Sequence, residues 1–343
     1  MKESIKSMFK DKTILVTGGT GSFGKKFIRM TLERFKPKKL IIFSRDEMKQ
    51  WEMQHEFKSL DKHSVLRYFI GDVRDRDRLN LAFQEVDYVV HAAATKIVPT
   101  AEYNPFEAIK TNVFGAMNVI EASISQKVKK IIALSTDKAC NPVNLYGATK
   151  LCSDKVFVAA NSYSGQHDIR FAVVRYGNVM GSRGSMIPFF LEEAKKGELP
   201  ITDARMTRFM IPLEAAVELV WHALEDCIGG EIYVPKIPSM KILEVASAIS
   251  PKAKIKYIGI RPGEKLHELM IGEDDARSTF EYDHYYKILP MIYDWNNCPY
   301  RIAQGKKCSD GFSYTSANNR EWMTSSDLRA WIKRQDLERV VKK

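Results

Sequence analysis

Residues 12–24 read KTILVTGGTGSFG, and the helical pattern KKFIRMTLERF follows them directly. The apolar, β-branched run before the glycines predicts a strand. Three glycines with a three-residue spacing separate this strand from the helix. Glycine permits the tight turn and the close backbone approach that a pyrophosphate needs, and the helix N-terminus supplies N–H groups and a positive dipole end. The predicted dinucleotide turn comprises Gly18, Thr20, Gly21, Ser22, Phe23 and Gly24.

The residues after the second predicted strand, 39–43, distinguish between two nicotinamide dinucleotides. In this fold the residue about twenty positions beyond the glycines meets the adenosine ribose. Ser44 and Arg45 supply a hydroxyl and a guanidinium there, which suit a 2′-phosphate. Asp46 could instead accept a hydrogen bond from the 2′-hydroxyl of NAD, so NAD stays open. We predict NADP, with Lys49 also near the ribose.

Further strands are predicted at residues 65–70, 87–91, 128–134 and 170–175, with helical patterns between them. Such alternation predicts an α/β fold, a doubly wound parallel sheet of the Rossmann type, with ligands at the carboxyl ends of the strands.

Three of these strand ends add cofactor candidates. Asp72 is placed to accept a hydrogen bond from an adenine amino group, with Val73 beside it. Small residues after the fourth strand would let a dinucleotide lie close to the backbone; they are Ala92, Ala93 and Ala94. His91, just before them, is predicted to be a buried, hydrogen-bonded core residue rather than a catalyst.

Residues 133–150 read ALSTDKACNPVNLYGATK and carry the predicted chemistry. If a helix begins near Tyr146, the four-residue spacing places Lys150 on the same face. A lysine ammonium near a phenol lowers its pKa, which yields a base for a sugar hydroxyl. Ser135 or Thr136 at the strand end could support the developing carbonyl, and Thr136 is preferred.

Several long stretches resemble one family: 17–25 (TGGTGSFGK), 173–185 (VVRYGNVMGSRGS), 201–209 (ITDARMTRF) and 259–268 (GIRPGEKLHE), besides 133–150. The chain resembles the extended short-chain dehydrogenases/reductases. More narrowly, it resembles the inverting UDP-N-acetylglucosamine 4,6-dehydratases of the pseudaminic acid pathway in flagellin glycosylation. The resemblance covers about residues 10–290. It implies a tightly bound, recycled NADP, no metal, and a homo-oligomer, either a hexamer or a dimer.

The resemblance also implies roles for the remaining site residues. Lys138 would take the C5 proton of the sugar, and Asp137 would protonate the leaving 6-hydroxyl. Retaining dehydratases carry Asp-Glu at this position, so Lys138 indicates C5 inversion. A lysine base must be neutral, and burial or a positive neighbour could make it so. Val179 would contact the cofactor, and the UDP-sugar would be bound by Lys96, Thr111, Asn178, Arg183, Thr202, Arg205, Met206, Arg261 and Glu264.

Two other functions stay open at this point. A 4-epimerase needs only Tyr146, Lys150 and the hydroxyl, so the Asp137–Lys138 pair would be superfluous. A non-catalytic NADP-binding sensor need not keep the catalytic residues together with a sugar-nucleotide pocket.

Length and composition fit an enzyme with two lobes. The 343 residues predict an NADP-binding domain at 1–176, a smaller α/β substrate lobe at 177–290 that returns some strands to the main sheet, and an extension at 291–343.

Composition excludes several other classes of protein. The net charge is +11, but the basic residues are scattered and mixed with 42 acidic residues, which indicates a solvated surface rather than a nucleic-acid site. No apolar run is long enough to span a membrane. The five cysteines lack metal or redox spacing, which favours reduced thiols in the cytoplasm.

Overall fold

A computed structural model of the chain describes residues 7–165 and 167–335. The first six strands follow the predicted pattern to within two residues at each end. In chain order the strands are β1 (Thr13–Thr17), β2 (Lys39–Ser44), β3 (Leu66–Ile70), β4 (Tyr88–His91), β5 (Lys130–Thr136), β6 (Arg170–Tyr176), β7 (Asn178–Val179), β8 (Glu198–Ile201), β9 (Thr207–Ile211), β10 (Ile232–Pro235), β11 (Ser239–Lys241), β12 (Lys254–Tyr257), β13 (Leu269–Ile271), β14 (Thr279–Glu281), β15 (Tyr285–Ile288), β16 (Lys306–Lys307) and β17 (Tyr314–Thr315).

Helices alternate with these strands. In chain order they are α1 (Ser22–Arg34), α2 (Glu47–Phe57), α3 (Arg76–Ala82), α4 (Val98–Tyr103), α5 (Pro105–Ile109), α6 (Gly115–Ser125), α7 (Leu145–Ala160), α8 (Met186–Ala194), α9 (Leu213–Asp226), α10 (Ile242–Ile249), α11 (Pro299–Ile302) and α12 (Ser325–Arg334). A π-helical turn, Lys110–Phe114, joins α5 to α6, and a 3₁₀ turn, Asp137–Ala139, follows β5.

The main sheet has the order β16-β14-β15-β10-β6-β5-β4-β1-β2-β3. The strands from β3 to β10 in this order all pair in parallel. The order reverses beside β1, and this arrangement confirms the predicted doubly wound α/β fold. The other edge is antiparallel, because β15, β14 and β16 pair in that sense. The sheet is therefore mixed: its parallel strands continue into an antiparallel edge. The sequence analysis did not predict this edge.

The first hydrophobic core lies on both faces of this sheet. All five residues of β1 are buried, as is expected for a parallel strand covered by helices on both sides. Trp221 of α9 is fully buried and stacks edge-on against Phe35 and Phe9. His91 is buried and hydrogen-bonds Thr17, as predicted, and burial lowers its pKa to about 3.

A second core supports the smaller lobe. It joins side chains of α8, β8, β9, α10 and α12, among them Phe190, Leu199, Val245 and Trp331. The core includes residues on both sides of position 290, so the expected segments 177–290 and 291–343 share it. The boundary between residues 176 and 177 stays a prediction, and residues 1–6, 166 and 336–343 of the predicted segments lie outside the described residues.

None of the helices within residues 7–165 and 167–335 combines the length and apolar character needed to cross a bilayer.

Candidate active site

The turn between β1 and α1 has the backbone that its glycines predict. Gly18 has a positive φ of +65°, and a Cβ there would lie 2.9 Å from the backbone nitrogen of Ala93. A Cβ at Gly24 would lie 2.4 Å from the carbonyl oxygen of Gly19. Both close approaches require glycine. The N-terminus of α1 has Gly21 as its cap, with no side-chain acceptor, so the turn fits a dinucleotide phosphate.

The predicted ribose-binding residues lie at or just after the end of β2, and their side chains make different contacts. Ser44 is buried and accepts a hydrogen bond from Gln50 Nε2 at 3.0 Å. Asp46 caps α2 by accepting from the backbone N–H of Lys49, whose ammonium also pairs with it. Arg45 instead leaves 60% of its side chain exposed, 3.6 Å from Asp72. Arg45 therefore presents a mostly exposed guanidinium that pairs with Asp72 at its outer limit, whereas the Asp46 carboxylate is engaged by α2.

Asp72 is less available for adenine than the sequence suggested. Its Oδ1 accepts from the backbone N–H of Arg74 at 2.9 Å, and its Oδ2 accepts from that guanidinium at 2.7 Å. These contacts lower the pKa of Asp72 against the opposing effect of burial.

Arg183 and Lys96, both expected at the sugar nucleotide, meet at the cofactor turn. The backbone N–H of Arg183 donates to Ser22 Oγ at 3.1 Å, and the Lys96 ammonium donates to the Arg183 carbonyl at 3.1 Å. Arg183 also lies within electrostatic reach of Asp46. The loop after β7 therefore contacts the dinucleotide turn through the Arg183 backbone, and the binding of substrate by Arg183 stays a prediction.

Helix α7 brings Tyr146 and Lys150 into the site as predicted. Asn144 caps the helix, and its Oδ1 accepts from the backbone N–H of Gly147 at 2.8 Å. A Cβ at Gly147 would lie 2.2 Å from the carbonyl oxygen of Lys138. The helix can therefore pack directly on the 3₁₀ turn that carries Asp137 and Lys138.

The pKa of Tyr146 is governed first by burial, and the predicted effect of Lys150 on it stays a prediction. Burial raises the pKa of Tyr146 to about 12, and the cation that opposes this rise is Lys138, together with a hydrogen bond to Thr136. Burial lowers the pKa of Lys150, and the neighbouring Asp154 carboxylate acts in the opposite direction. Lys150 thus interacts chiefly with Asp154, one helical turn further on.

Ser135 and Thr136 are both candidates for the hydroxyl that supports the developing carbonyl, and their contacts differ. Ser135 is buried and donates to Asp154 Oδ2 at 2.7 Å, and Arg175 contacts the same oxygen at 3.3 Å. Thr136 instead donates to Asp137 Oδ1 at 2.9 Å and hydrogen-bonds Tyr146. Thr136 therefore faces the reacting groups, whereas Ser135 stabilises the strand against α7.

Lys138 lies between two buried carboxylates. Its Nζ is 3.1 Å from Asp137 Oδ1 and 3.2 Å from Glu268 Oε1. Although burial alone would lower it, these two anions raise the pKa of Lys138 well above its ordinary value. The expectation that burial or a positive neighbour would leave Lys138 neutral is therefore wrong for the site as it stands.

The π-helical turn positions another polar residue that the sequence analysis did not single out. Asn112 is buried; its side chain bonds both backbone groups of Thr95 and donates to Thr149 Oγ1 at 3.0 Å. It thereby ties the loop after β4 to the catalytic helix. Thr111, a predicted substrate ligand on the same turn, is also buried. Such turns often occur at functional sites.

The other predicted sugar-nucleotide residues lie in the smaller lobe or at its border. Asn178 has a buried Oδ1 without a hydrogen-bond partner among residues 7–165 and 167–335, and Val179 follows it in β7. Met206 is buried in the second core, so its side chain packs there, with Thr202 Oγ1 2.9 Å from its sulfur. Contacts of Met206 and Thr202 with a sugar nucleotide stay predictions.

Two of the predicted arginines form local ion pairs. Arg205 pairs with Asp203 at 2.7 Å, and Arg261 pairs with Glu264 at 2.5 Å. Both arginine side chains are mostly exposed, 71% and 59% respectively. A phosphate would have to compete with these carboxylates, and the binding roles of Arg205, Arg261 and Glu264 stay predictions.

The doubly wound parallel sheet, the glycine turn and helix α7, which carries Tyr146 and the buried Lys150, are those of an extended short-chain dehydrogenase/reductase. The family model described as "Polysaccharide biosynthesis protein" matches residues 14–290, and the chain belongs to this family.

Individual relatives narrow the class. The chain is 56% identical over 329 residues to the inverting UDP-N-acetylglucosamine 4,6-dehydratase of Campylobacter jejuni strain 81-176, covering 94% of this chain and 97% of the relative. It is 42% identical over 321 residues to the UDP-glucose 4-epimerase of Rickettsia canadensis, covering 91% and 93%. Among solved structures, Pen from Bacillus thuringiensis matches with a TM-score of 0.86 and 38% identity, covering 95% of this chain and 99% of Pen.

Proposed function

We propose that this chain is an inverting UDP-N-acetylglucosamine 4,6-dehydratase. It would produce UDP-2-acetamido-2,6-dideoxy-β-L-arabino-hex-4-ulose with the help of a tightly bound NADP. The observation that carries the proposal is the ion pair of buried Asp137 with partly buried Lys138 beside Tyr146, because it adds elimination chemistry to an oxidation site. The 56% identity to a relative with this name supports the same conclusion.

The residues present fit a nicotinamide dinucleotide. The glycine turn at Gly18 and Gly24 leaves room for phosphates that any side chain would fill. When bound there, the nicotinamide would accept a hydride from C4 of the sugar and return it to C6. Tyr146 takes the proton of the 4-hydroxyl, and Thr136 donates a hydrogen bond to the carbonyl oxygen that forms.

Elimination then uses the residues of the 3₁₀ turn. The C4 ketone acidifies the C5 proton, which Lys138 takes once it has lost its own proton. Asp137 gives its proton to the 6-hydroxyl as the C6–O bond breaks and water leaves. Burial raises the pKa of Asp137, and the nearby Glu268 anion adds to this effect, which favours the protonated form that an acid needs.

The protons balance over one turnover. The 4-hydroxyl loses one proton to Tyr146, and Asp137 loses one to the departing water. Because Thr136 hydrogen-bonds both residues, its hydroxyl offers a path by which the proton on Tyr146 restores Asp137. C5 loses a proton to Lys138, which returns it to solvent, and C5 takes up a solvent-derived proton on the opposite face. This exchange is neutral overall and inverts the centre.

The competing proposal is a 4-epimerase, and the 42% identity to a relative named UDP-glucose 4-epimerase favours it. Tyr146 and Lys150 would suffice for that reaction. It leaves the Asp137–Lys138–Glu268 cluster without a chemical task, although burying two carboxylates around one ammonium is costly. An NADP-binding sensor has the same difficulty.

Incubating the purified protein with UDP-N-acetylglucosamine in D₂O distinguishes these functions. We expect NMR to show a 4-keto-6-deoxy sugar with deuterium at C5 and L-arabino configuration, because the proton returned to C5 comes from a group that exchanges with solvent. A product with D-xylo configuration alone, or a simple 4-epimer, would contradict the proposal. A parallel incubation with UDP-glucose tests for formation of UDP-galactose, the epimerase outcome.

The cofactor preference for NADP rests on Arg45, whose guanidinium is exposed while the Asp46 carboxylate is engaged by α2. Replacing Arg45 with alanine should weaken NADP binding about tenfold or more while changing NAD binding little, because only NADP carries the 2′-phosphate. Calorimetry on protein stripped of its cofactor measures both affinities. Arg76→Ala, which removes another exposed, ion-paired arginine, is the matched control. Equal losses for NADP and NAD would refute the preference.

We further propose that the chain works as a cytoplasmic homo-oligomer in pseudaminic acid biosynthesis, leading to flagellin glycosylation. The support for this pathway and location is the family resemblance. Support for a subunit contact comes from large apolar side chains exposed near one another in the chain: Tyr103 at 88%, Phe106 at 76% and Phe114 at 52%. Exposed apolar patches commonly mark interfaces, and both a dimer and a hexamer fit.

A further inference from the structure

The Lys138 ammonium has two buried anionic neighbours, and the catalytic scheme above uses only one of them. Glu268 is 2% exposed, and its Oε1 is 3.2 Å from Lys138 Nζ. Asp137, on the other side of the ammonium, is fully buried. Two carboxylates that share one cation cannot both ionise cheaply in a buried site, so one of them must hold a proton more readily than the other.

The surroundings of the two carboxylates are unequal. Arg208 Nε lies 3.7 Å from Glu268 Oε1, and Lys265 also acts on this carboxylate from close by. Against the effect of burial, Lys138, Arg208 and Lys265 lower the pKa of Glu268. Each carboxylate has one oxygen without a hydrogen-bond partner within the part of the chain that the structure describes, Asp137 Oδ2 and Glu268 Oε2. The difference lies in the cations, because Lys138 is the cation that lowers the pKa of Asp137, whose Oδ2 faces Gly177. Glu268 is therefore the carboxylate that stays ionised.

The backbone holds Glu268 firmly at this place. Its N–H donates to Ser316 Oγ at 2.9 Å, and its carbonyl accepts from the N–H of Ser316 at 2.8 Å. Ser316 Oγ also bonds Thr207 Oγ1 at 2.7 Å, next to Arg208 in β9. The carboxylate is thus held at a hydrogen-bonded junction of three chain segments, where it contacts Lys138 and acts on Asp137 through its charge.

We propose that Glu268 is a positioning residue for the Asp137–Lys138 pair: its carboxylate fixes the Lys138 amine in place, and its charge sets the pH range in which the pair performs elimination. This inference rests on the proposed dehydratase function and assigns no substrate contact to Glu268. It explains why the cluster contains two carboxylates when the reaction requires only one acid.

The sign of the effect follows from the charges. Elimination requires Asp137 with its proton and Lys138 without one. The Glu268 anion increases the proton affinity of both groups, since it repels the Asp137 carboxylate and attracts the Lys138 ammonium. Other charged or titratable groups facing the pair are Tyr146 on α7, Arg208 on β9, Lys265 on the loop before β13, and Cys140 and Asp154 nearby. Replacing Glu268 also leaves Arg208 and Lys265 without the anion they share, and an uncompensated cation lowers the proton affinity of the pair as well. Both effects act in the same direction, so the whole pH profile of elimination should move to lower pH.

The experiment uses single turnovers of the cofactor-loaded enzyme with UDP-N-acetylglucosamine over a series of pH values. Absorbance of reduced nicotinamide reports the first oxidation, and mass spectrometry of quenched samples reports loss of water. With Glu268→Gln, which keeps size and an acceptor oxygen, we expect the elimination profile to shift by about one pH unit or more towards acid. We expect KM and the oxidation rate to stay within about threefold of wild type.

Two further variants make the result specific. Glu268→Asp keeps the negative charge but moves it away from Lys138, so we expect a smaller shift of the elimination profile in the same direction. This variant provides the test if Glu268→Gln does not fold. Glu231→Gln removes a buried, ion-paired glutamate just before β10, at the amino end of the parallel strands and so at the end opposite the catalytic residues, and should leave the profile unchanged.

Two outcomes would overturn the inference. One is an elimination profile at the wild-type pH in the folded Glu268 variants. The other is an equal loss of oxidation and elimination at every pH, which indicates a merely structural role. Absence of the 4-keto-6-deoxy product from the wild-type enzyme would instead contradict the proposed function itself, so the two failures are distinguishable.

Discussion

Replacing Tyr146 with phenylalanine should abolish the first oxidation, so that no reduced nicotinamide appears when UDP-N-acetylglucosamine is added to the loaded enzyme. The ring and its burial persist, but the group that takes the 4-hydroxyl proton is lost. Loss of a proton-transfer group typically costs about a hundredfold or more, which corresponds to at least about 2.7 kcal/mol of barrier. Stopped-flow absorbance of the reduced nicotinamide measures this step directly.

The wild-type pH dependence provides an additional check on Tyr146. Because burial raises the pKa of Tyr146 to about 12, the phenol is protonated near neutrality, and the rate of a step that needs the phenolate should rise with pH. Tyr176→Phe is the matched control, since Tyr176 is a buried tyrosine that lies close to Tyr146 but has no assigned proton transfer. Oxidation at the wild-type rate in Tyr146→Phe, or an equal loss in Tyr176→Phe, would contradict the assignment.

The features that could be predicted from the sequence are those formed by residues close together in the chain. The strand, the glycine turn and α1 are contiguous, and the close approaches at Gly18 and Gly24 show why other residues would not fit there. Likewise, the four-residue spacing of Tyr146 and Lys150 places both on one face once α7 begins at Leu145. Local periodicity and turn chemistry are sufficient for such features.

The features that were missed depend on contacts between distant segments. Glu268 reaches Lys138 from 130 residues further along the chain, and its only sequence signal is its place in the family stretch GIRPGEKLHE. The protonation of Lys138 could not be predicted, because it depends on a second carboxylate that spacing alone does not reveal. The antiparallel edge formed by β14 to β16 was missed for the same reason: strand direction is set by pairing partners rather than by local pattern.

Asn112 is an intermediate case. It occurs in the stretch KTNVFGAMNV, where a polar residue within an apolar helical pattern could have indicated a buried hydrogen-bonding role. Its partners, Thr95 and Thr149, lie on different elements and become visible only in the folded chain.

Replacing Lys138 with alanine should separate the two halves of the reaction. Elimination should fall about a hundredfold or more, because the base for the C5 proton is lost, and enzyme-bound reduced nicotinamide and the 4-keto hexose should accumulate without loss of water. The first oxidation should slow near neutral pH as well, since the positive charge of Lys138 opposes the rise in the pKa of Tyr146. Without that charge Tyr146 ionises at higher pH, so oxidation should recover as the pH is raised, whereas elimination should not.

Single-turnover absorbance and mass spectrometry across pH measure both steps of the Lys138→Ala variant. Lys130→Ala is its matched control, because Lys130 lies at the other end of β5, where its ammonium binds the carbonyl oxygens of Leu224 and Glu225. That substitution should leave the ratio of the two rates unchanged. If Lys138→Ala lost water at nearly the wild-type rate, Lys138 would not be the base. The inverting assignment would then lose its main physical support, because Lys138 is the residue that distinguishes this site from the Asp-Glu pair implied for retaining dehydratases.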